Sequence, residues 1–94
     1  MLIKDLVDNY LSSLVSIKRY SPNTILGYRV DLFSFIEYCN KYSIYDSNSL
    51  NIKVIKRFLF FLGNNKYSNT SLSRKLSAIR GLVKFAFRNN EIYA

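Results

Sequence analysis

Between residues 70 and 88 the chain places Thr70, Arg74, Ser77, Gly81, Lys84 and Arg88 at intervals of four, three, four, three and four. At about 100° per residue that spacing keeps all six on one helical face, with Ser71, Ala78 and Arg80 at its margins. The chemistry on offer is charge-assisted hydrogen bonding. Guanidinium and ammonium groups bind anionic oxygen, and a guanidinium also matches the acceptor edge of guanine. Small hydroxyl, alanine and glycine side chains between the bases let a helix backbone approach a surface closely. A face serving solubility alone would interleave glutamates with its cations as i,i+4 pairs, yet this stretch has no acid before Glu91. Gly81 in mid-helix costs about 1 kcal/mol relative to alanine. Close approach to a ligand and close packing against another helix would each account for it.

The charge of the whole chain is equally one-sided. Residues 1–50 balance Lys4, Lys18, Arg19, Arg29 and Lys41 against Asp5, Asp8, Asp31, Glu37 and Asp46. Residues 51–94 hold Lys53, Lys56, Arg57, Lys66, Arg74, Lys75, Arg80, Lys84 and Arg88 against Glu91 alone, so the net +8 lies entirely in that half. Such a field favours a polyanion as partner, nucleic acid foremost. The plainer alternative is a solvated basic helix.

Other chemistries find no residues to carry them. The chain has no histidine and a single cysteine, Cys39, which excludes an internal disulfide and leaves no Cys/His pair for a metal or a nucleophile. Cys39 falls in an apolar stripe and is expected to act as a small core hydrophobe. There is no paired-carboxylate site and no glycine-rich phosphate loop, so no cofactor, metal or small-molecule substrate is expected. Lys4, Asp5 and Asp8 interrupt what a signal peptide would keep apolar. The longest apolar run, Phe58–Leu62, is far short of a membrane span. A reduced, cytoplasmic, soluble protein is expected.

A basic helical face needs a frame, and the 94 residues, 49% hydrophobic with three glycines, suffice for one domain. Helices are expected at about 2–18, 22–41, 52–62 and 69–88. The first turns Ile3, Val7, Tyr10, Leu14 and Ile17 inward. Ser21-Pro22-Asn23-Thr24 starts the second, with serine as cap and proline in the first turn, and Ile25, Tyr28, Leu32, Ile36 and Cys39 form its stripe. Residues 42–50 read as a polar loop. The third helix has Ile52, Ile55, Leu59 and Leu62 inward and is ended by Gly63-Asn64-Asn65. Ser68 caps the fourth, whose core arc is Leu72, Leu76, Ile79, Leu82, Val83, Ala86 and Phe87, and Asn89-Asn90 stops it. No segment alternates like a strand, so the fold class is all-α. Tyr10, Tyr28, Phe33, Phe35 and Phe58 suit the core, whereas Phe85 falls on the polar side of its helix. Phe60 and Phe61 make the third helix apolar nearly all round, so one of them is expected at the surface.

Two strings carry a family resemblance. One is Ser21-Pro22-Asn23-Thr24 followed by Tyr28-Arg29, Asp31-Leu32 and Phe35; the other is Ser71-Leu72-Ser73-Arg74-Lys75-Leu76-Ser77-Ala78-Ile79-Arg80. Together they closely resemble the N-terminal core-binding domain of the tyrosine recombinases, the phage integrase and Xer-type family. Its segments read S-P-x-T, A-Y-x-x-D-L-x-x-F and S-I-x-R-[RK]-L-S-A-[IL]-R. The match covers essentially the whole chain in the right order. Gly27 stands where alanine is usual, and Val30 where a second basic residue is common, so one phosphate contact of the second helix is not carried over.

The resemblance implies a SAM-like orthogonal bundle of four helices, a single core-binding domain over residues 1–94. It would clamp one face of double-stranded DNA, with the second and fourth helices in or beside the major groove. By matching position, Thr24 and the amides after Ser21 would hold phosphate. Ser71, Arg74, Lys75, Ser77 and Arg80 would face DNA, with Arg74 reading bases, and the helical wheel adds Lys84. Tyr28, Leu32 and Phe35 would be structural, and Asp31 would pair with a neighbouring basic group. The first helix, residues 2–17, is a candidate contact with a neighbouring protomer.

The family's chemistry is DNA cleavage by a tyrosine through a 3′-phosphotyrosyl link. It needs two arginines, a lysine, two histidines (or histidine and tryptophan) and that tyrosine. This chain has no histidine or tryptophan, and none of its eight tyrosines lies in a nucleophile motif. It is therefore expected to have no activity of its own and to serve a bacterial or phage-encoded recombinase whose catalytic domain is separate. Two alternatives stay open. One is a helical protein-interaction module whose basic face meets an acidic partner. The other is a stand-alone helix-turn-helix DNA binder, since the Gly63–Tyr67 connection is close to the length that motif needs.

Overall fold

In the computed structural model, which describes residues 1–65 and 67–89, the chain folds as α1 (Ile3–Ser16), α2 (Pro22–Lys41), α3 (Ile52–Asn64) and α4 (Asn69–Arg88), with one 3-10 turn at Ser47–Ser49. The all-α class expected from the sequence holds: among the described residues the one extended pairing is an isolated bridge between Leu2 and Asp46. Lys66 in the third connection, Asn90 as half of the final stop signal, and Glu91 lie outside the described residues.

Three helices open on a side-chain cap, which satisfies an amide the helix itself cannot. Ser21 accepts from the Thr24 amide at 3.3 Å, Asn51 from the Val54 amide at 3.0 Å, and Ser68 from the Ser71 amide at 3.2 Å. α1 has no such cap. Its first amide, at Ile3, donates instead to the Tyr45 carbonyl at 2.7 Å, and the Ser47 amide returns to the Met1 carbonyl at 2.7 Å. α2 ends in a Schellman motif: Ser43 adopts φ 58°, the Ile44 amide reaches the Cys39 carbonyl at 2.8 Å and the Ser43 amide reaches Asn40 at 3.1 Å. Gly63 does not end α3 as expected but stays within it. Asn65 closes that helix, with its Nδ2 donating to the Phe61 carbonyl at 2.7 Å.

α4 lies at the centre, packed against α1, α2 and α3. The core gathers Leu6 and Val7 from α1, Leu32 and Phe35 from α2, Phe58 and Leu62 from α3, and Ile79, Leu82 and Ala86 from α4. Phe35 meets Phe58 edge-on with centroids 5.0 Å apart.

Several wheel assignments shift. Ile17 lies past the end of α1 and is 76% exposed. α3 turns Val54, Phe58 and Leu62 inward and leaves Ile52 exposed, with Ile55 and Leu59 half-buried. Lys53, Lys56 and Arg57 share the solvent arc of α3, which centres the apolar arc on Phe58 and leaves Ile52 at its edge. On α4 the buried arc runs through Lys75, Ala78, Ile79, Leu82 and Ala86, while Leu76 is half-buried and Phe87 exposed. A helix enclosed on three sides buries positions that an amphipathic count assigns to its margin. Phe33 is exposed beneath the Arg29 guanidinium, 5.8 Å from its ring centroid. Of the Phe60–Phe61 pair, Phe60 is the exposed one, at 73%.

Candidate nucleic-acid interface

The outward face of α4 exposes Thr70, Ser73, Arg74, Ser77, Arg80, Lys84 and Arg88. No acidic residue occurs anywhere in that helix. At 1.5 Å per residue the face is about 27 Å long. Ser77, Arg80 and Lys84 thus stand at the surface, where a groove or a phosphate backbone could meet them.

The two serine-capped helix starts carry Thr24 and Ser71. Thr24 is exposed, its hydroxyl 2.9 Å from that of Ser21. At a helix N-terminus that places a hydroxyl and the uncapped Asn23 amide where the dipole favours an anion. Ser71 is half-buried instead, and its hydroxyl accepts from Ser68 at 3.1 Å, so it belongs to the cap of α4.

Lys75 departs furthest from expectation. Rather than facing outward it is 5% exposed, with Nζ 3.1 Å from Oδ1 of Asp31 and 5.3 Å from the centroid of the Tyr67 ring. The cause is Asp31 on α2, itself 2% exposed. A buried carboxylate is tolerated only when paired, and α4 supplies both partners. Arg74 Nε donates to Asp31 Oδ2 at 2.9 Å, and its Nη2 to Oδ1 at 3.2 Å. The Arg74 side chain nonetheless remains 57% exposed. The sequence held a signal for this: Lys75, Ile79, Leu82 and Ala86 follow the four-three-four spacing of an inner face.

Gly81 is also settled by packing. A Cβ there would collide with the Tyr10 hydroxyl and lie 3.0 Å from Tyr10 Cζ, so the close approach is to α1. The Phe85 ring joins the same cluster, with its centroid 5.4 Å from that of Tyr10, which explains an aromatic on the polar side of the wheel. Burial, then the neighbouring Tyr28 and Tyr20, push the Tyr10 hydroxyl up to about 12.

Beside this cluster runs a groove of about 580 Å³ between α1, α2 and α4, lined by Tyr10, Tyr28, Lys18, Arg80, Lys84 and Arg88 among others. No carboxylate among the described residues lines it. Lys18 enters the site here. Its position, just beyond α1, gave no periodic signal in the sequence. Among the described residues no cluster of His, Cys, Asp or Glu is able to hold a metal ion, and no helix is long and apolar enough to cross a membrane.

Comparison with known proteins accords with this geometry. Residues 7–90 match the family described as "Phage integrase, N-terminal SAM-like domain". Tyrosine recombinase XerC of Pseudomonas putida is 34% identical over 86 residues, 92% of this chain and 29% of that protein. XerC of Pseudomonas syringae pv. tomato is 35% identical over 82 residues, 87% of this chain and 27% of the relative. XerC of Pseudomonas aeruginosa is 34% identical, also over 82 residues, 87% of this chain and 27% of its own length. The chain therefore spans under a third of the length of these relatives. No solved structure matches it. With its motifs, its helical frame and these relatives in agreement, the chain belongs to the N-terminal SAM-like domain family of the phage integrases.

Proposed function

We propose that this domain grips one face of duplex DNA on behalf of a tyrosine recombinase. One observation carries the proposal: α4 exposes Arg74, Arg80, Lys84 and Arg88 along a single helix that contains no acid. The Thr24 hydroxyl and the uncapped Asn23 amide at the start of α2 add a phosphate site, and Lys18 extends the basic surface past α1. Strand cleavage and exchange are assigned to a separate catalytic domain, because this chain has neither histidine nor tryptophan for that chemistry. Exposed Val15 on α1 and Leu26 on α2, which line one surface groove, offer an apolar contact for a neighbouring protomer on the same DNA.

A stand-alone helix-turn-helix binder would need only α3 and α4. Here α4 is also fastened to α2 through Asp31 and to α1 through the Tyr10–Gly81 contact, so the four helices act as one frame.

The test is fluorescence anisotropy of the domain with a labelled duplex of about 30 base pairs, titrated across salt. Affinity should fall with a log–log slope near −0.9 per phosphate contacted. Lys84→Ala should reduce that slope by about one contact. An unchanged slope would remove Lys84 from the interface, and a folded domain that ignores DNA at low salt would favour the protein-interaction alternative.

A further inference from the structure

We infer that Asp31 is a positioning residue that holds Arg74 in a base-reading orientation, and that buried Lys75 keeps Asp31 from cancelling the charge of Arg74. The inference rests on the DNA-binding role proposed for α4. Arg74 is bound side-on: Nε and one Nη2 proton engage the two carboxylate oxygens of Asp31 at 2.9 and 3.2 Å. A guanidinium has five N–H donors. Of the three left over, one Nη1 proton points back towards Cδ, and the other Nη1 proton and the Nη2 proton share the end-on edge. That edge is the one that pairs with O6 and N7 of guanine in the major groove.

Exposure and burial divide the cluster as this role requires. The Arg74 side chain is 57% exposed while that of Asp31 is 1% exposed, so the carboxylate grips from beneath and leaves the outer edge clear. Asp31 alone would neutralise Arg74. With Lys75 Nζ also on Oδ1 at 3.1 Å, the three groups sum to one positive charge, and Arg74 is the member that shows it. Tyr67, with its ring centroid 5.3 Å from Nζ, closes the lysine in. Among the described residues Arg80, Lys84 and Arg88 have no carboxylate partner. One arginine of the face is therefore fixed, and the other cations can follow a phosphate backbone.

The experiment compares the 94-residue chain with Asp31→Asn/Lys75→Met, which leaves the formal charge unchanged, and with Arg74→Ala. The probes are a 30-base-pair duplex enriched by the wild-type chain from a randomised library and a scrambled duplex of equal length. Freeing one side chain should cut the enriched-to-scrambled affinity ratio of the double variant by about threefold to tenfold, with the salt slope kept. Arg74→Ala should cut the ratio and lower the slope as well. A double variant that keeps the ratio, while Arg74→Ala loses it, would overturn the positioning role and leave base reading by Arg74 intact. A ratio unaffected by Arg74→Ala would instead overturn base reading itself.

Nitrogen-15 relaxation of the Arg74 Nε–H supplies a readout without DNA and without a variant. The clamp requires an order parameter close to that of rigid backbone, about 0.85, where a loose side chain falls below about 0.6. An Arg74 as mobile as Arg88 in the wild-type chain would overturn the proposal.

Discussion

Gly81→Ala separates two explanations of a glycine in the middle of the basic helix α4. Alanine should by itself improve the helix by about 1 kcal/mol. Its Cβ, however, would occupy the place of the Tyr10 hydroxyl and press to 3.0 Å from Cζ. Tyr10 is 8% exposed and has the rings of Phe85 and Tyr28 at 5.4 and 6.4 Å, so it has nowhere to move without leaving them. Giving up two aromatic pairs costs about 0.5–1.5 kcal/mol each, and part of the ring's burial goes with them. Set against the gain in helix propensity, the net loss is about 2 kcal/mol. For a domain of this size that is a drop in Tm of roughly 10 °C. Tyr10→Phe removes the colliding oxygen, so Gly81→Ala placed in that background should cost under about 0.5 kcal/mol. The coupling, read from urea denaturation of the four proteins by helical circular dichroism, should thus exceed about 1 kcal/mol. Equal losses in both backgrounds would refute the steric account. A variant stabilised by about 1 kcal/mol that binds DNA worse would show that the glycine serves the nucleic acid instead.

The other two glycines should respond in the opposite sense. Gly27→Ala and Gly63→Ala place a methyl where nothing lies within 4 Å, so each should raise stability by about 0.5–1 kcal/mol in the same assay. Ser43→Gly should stabilise by a similar amount, because Ser43 occupies the left-handed position that closes α2 at φ 58°; a loss there would mean the serine side chain has a role of its own. Burial pushes the Cys39 thiol up to about 12 from 9.0, and Tyr10 also rises to about 12 from 10.0. In the unfolded chain both ionise first, so the native state holds more protons and stability falls as pH rises from about 9 to 12. Cys39→Ala should flatten the early part of that fall in denaturant midpoints measured across pH, and an unaltered profile would exclude the thiol.

Helices and caps were legible because they rest on local rules. Ser21-Pro22-Asn23-Thr24 and Ser68 needed only the preference of a serine hydroxyl for orphan amides. The family was legible in two strings that sit on α2 and α4. Facing was harder. On α3 the cue lay in the cations rather than in the aliphatic spacing: Lys53, Lys56 and Arg57 mark the outer arc, and the choice of Val54 and Phe58 over Ile52 follows from facing away from it. Lys75 was hidden by its charge: a lysine at an inner-face position reads as a solvent residue until a buried aspartate 44 positions earlier is seen beside it. Lys18 and Arg80 line one groove only because α1 ends where α4 passes, a juxtaposition that no periodicity within either helix encodes.

The beginning of α1 has a consequence for how the domain comes apart. Its first amide is satisfied by the Tyr45 carbonyl, and the Ser47 amide by the carbonyl of Met1; these partners lie more than forty residues away along the chain. The opening turn of α1 and the stretch from Tyr45 to Ser47 therefore form one cooperative opening unit, in which neither part stays closed without the other. Amide hydrogens at Ile3 and Ser47 should exchange together, ahead of that of buried Leu82. Lengthening the connection after α2 should therefore unravel the start of a helix that precedes it by a whole element, and should shorten the time the N-terminal turn survives attack by a protease.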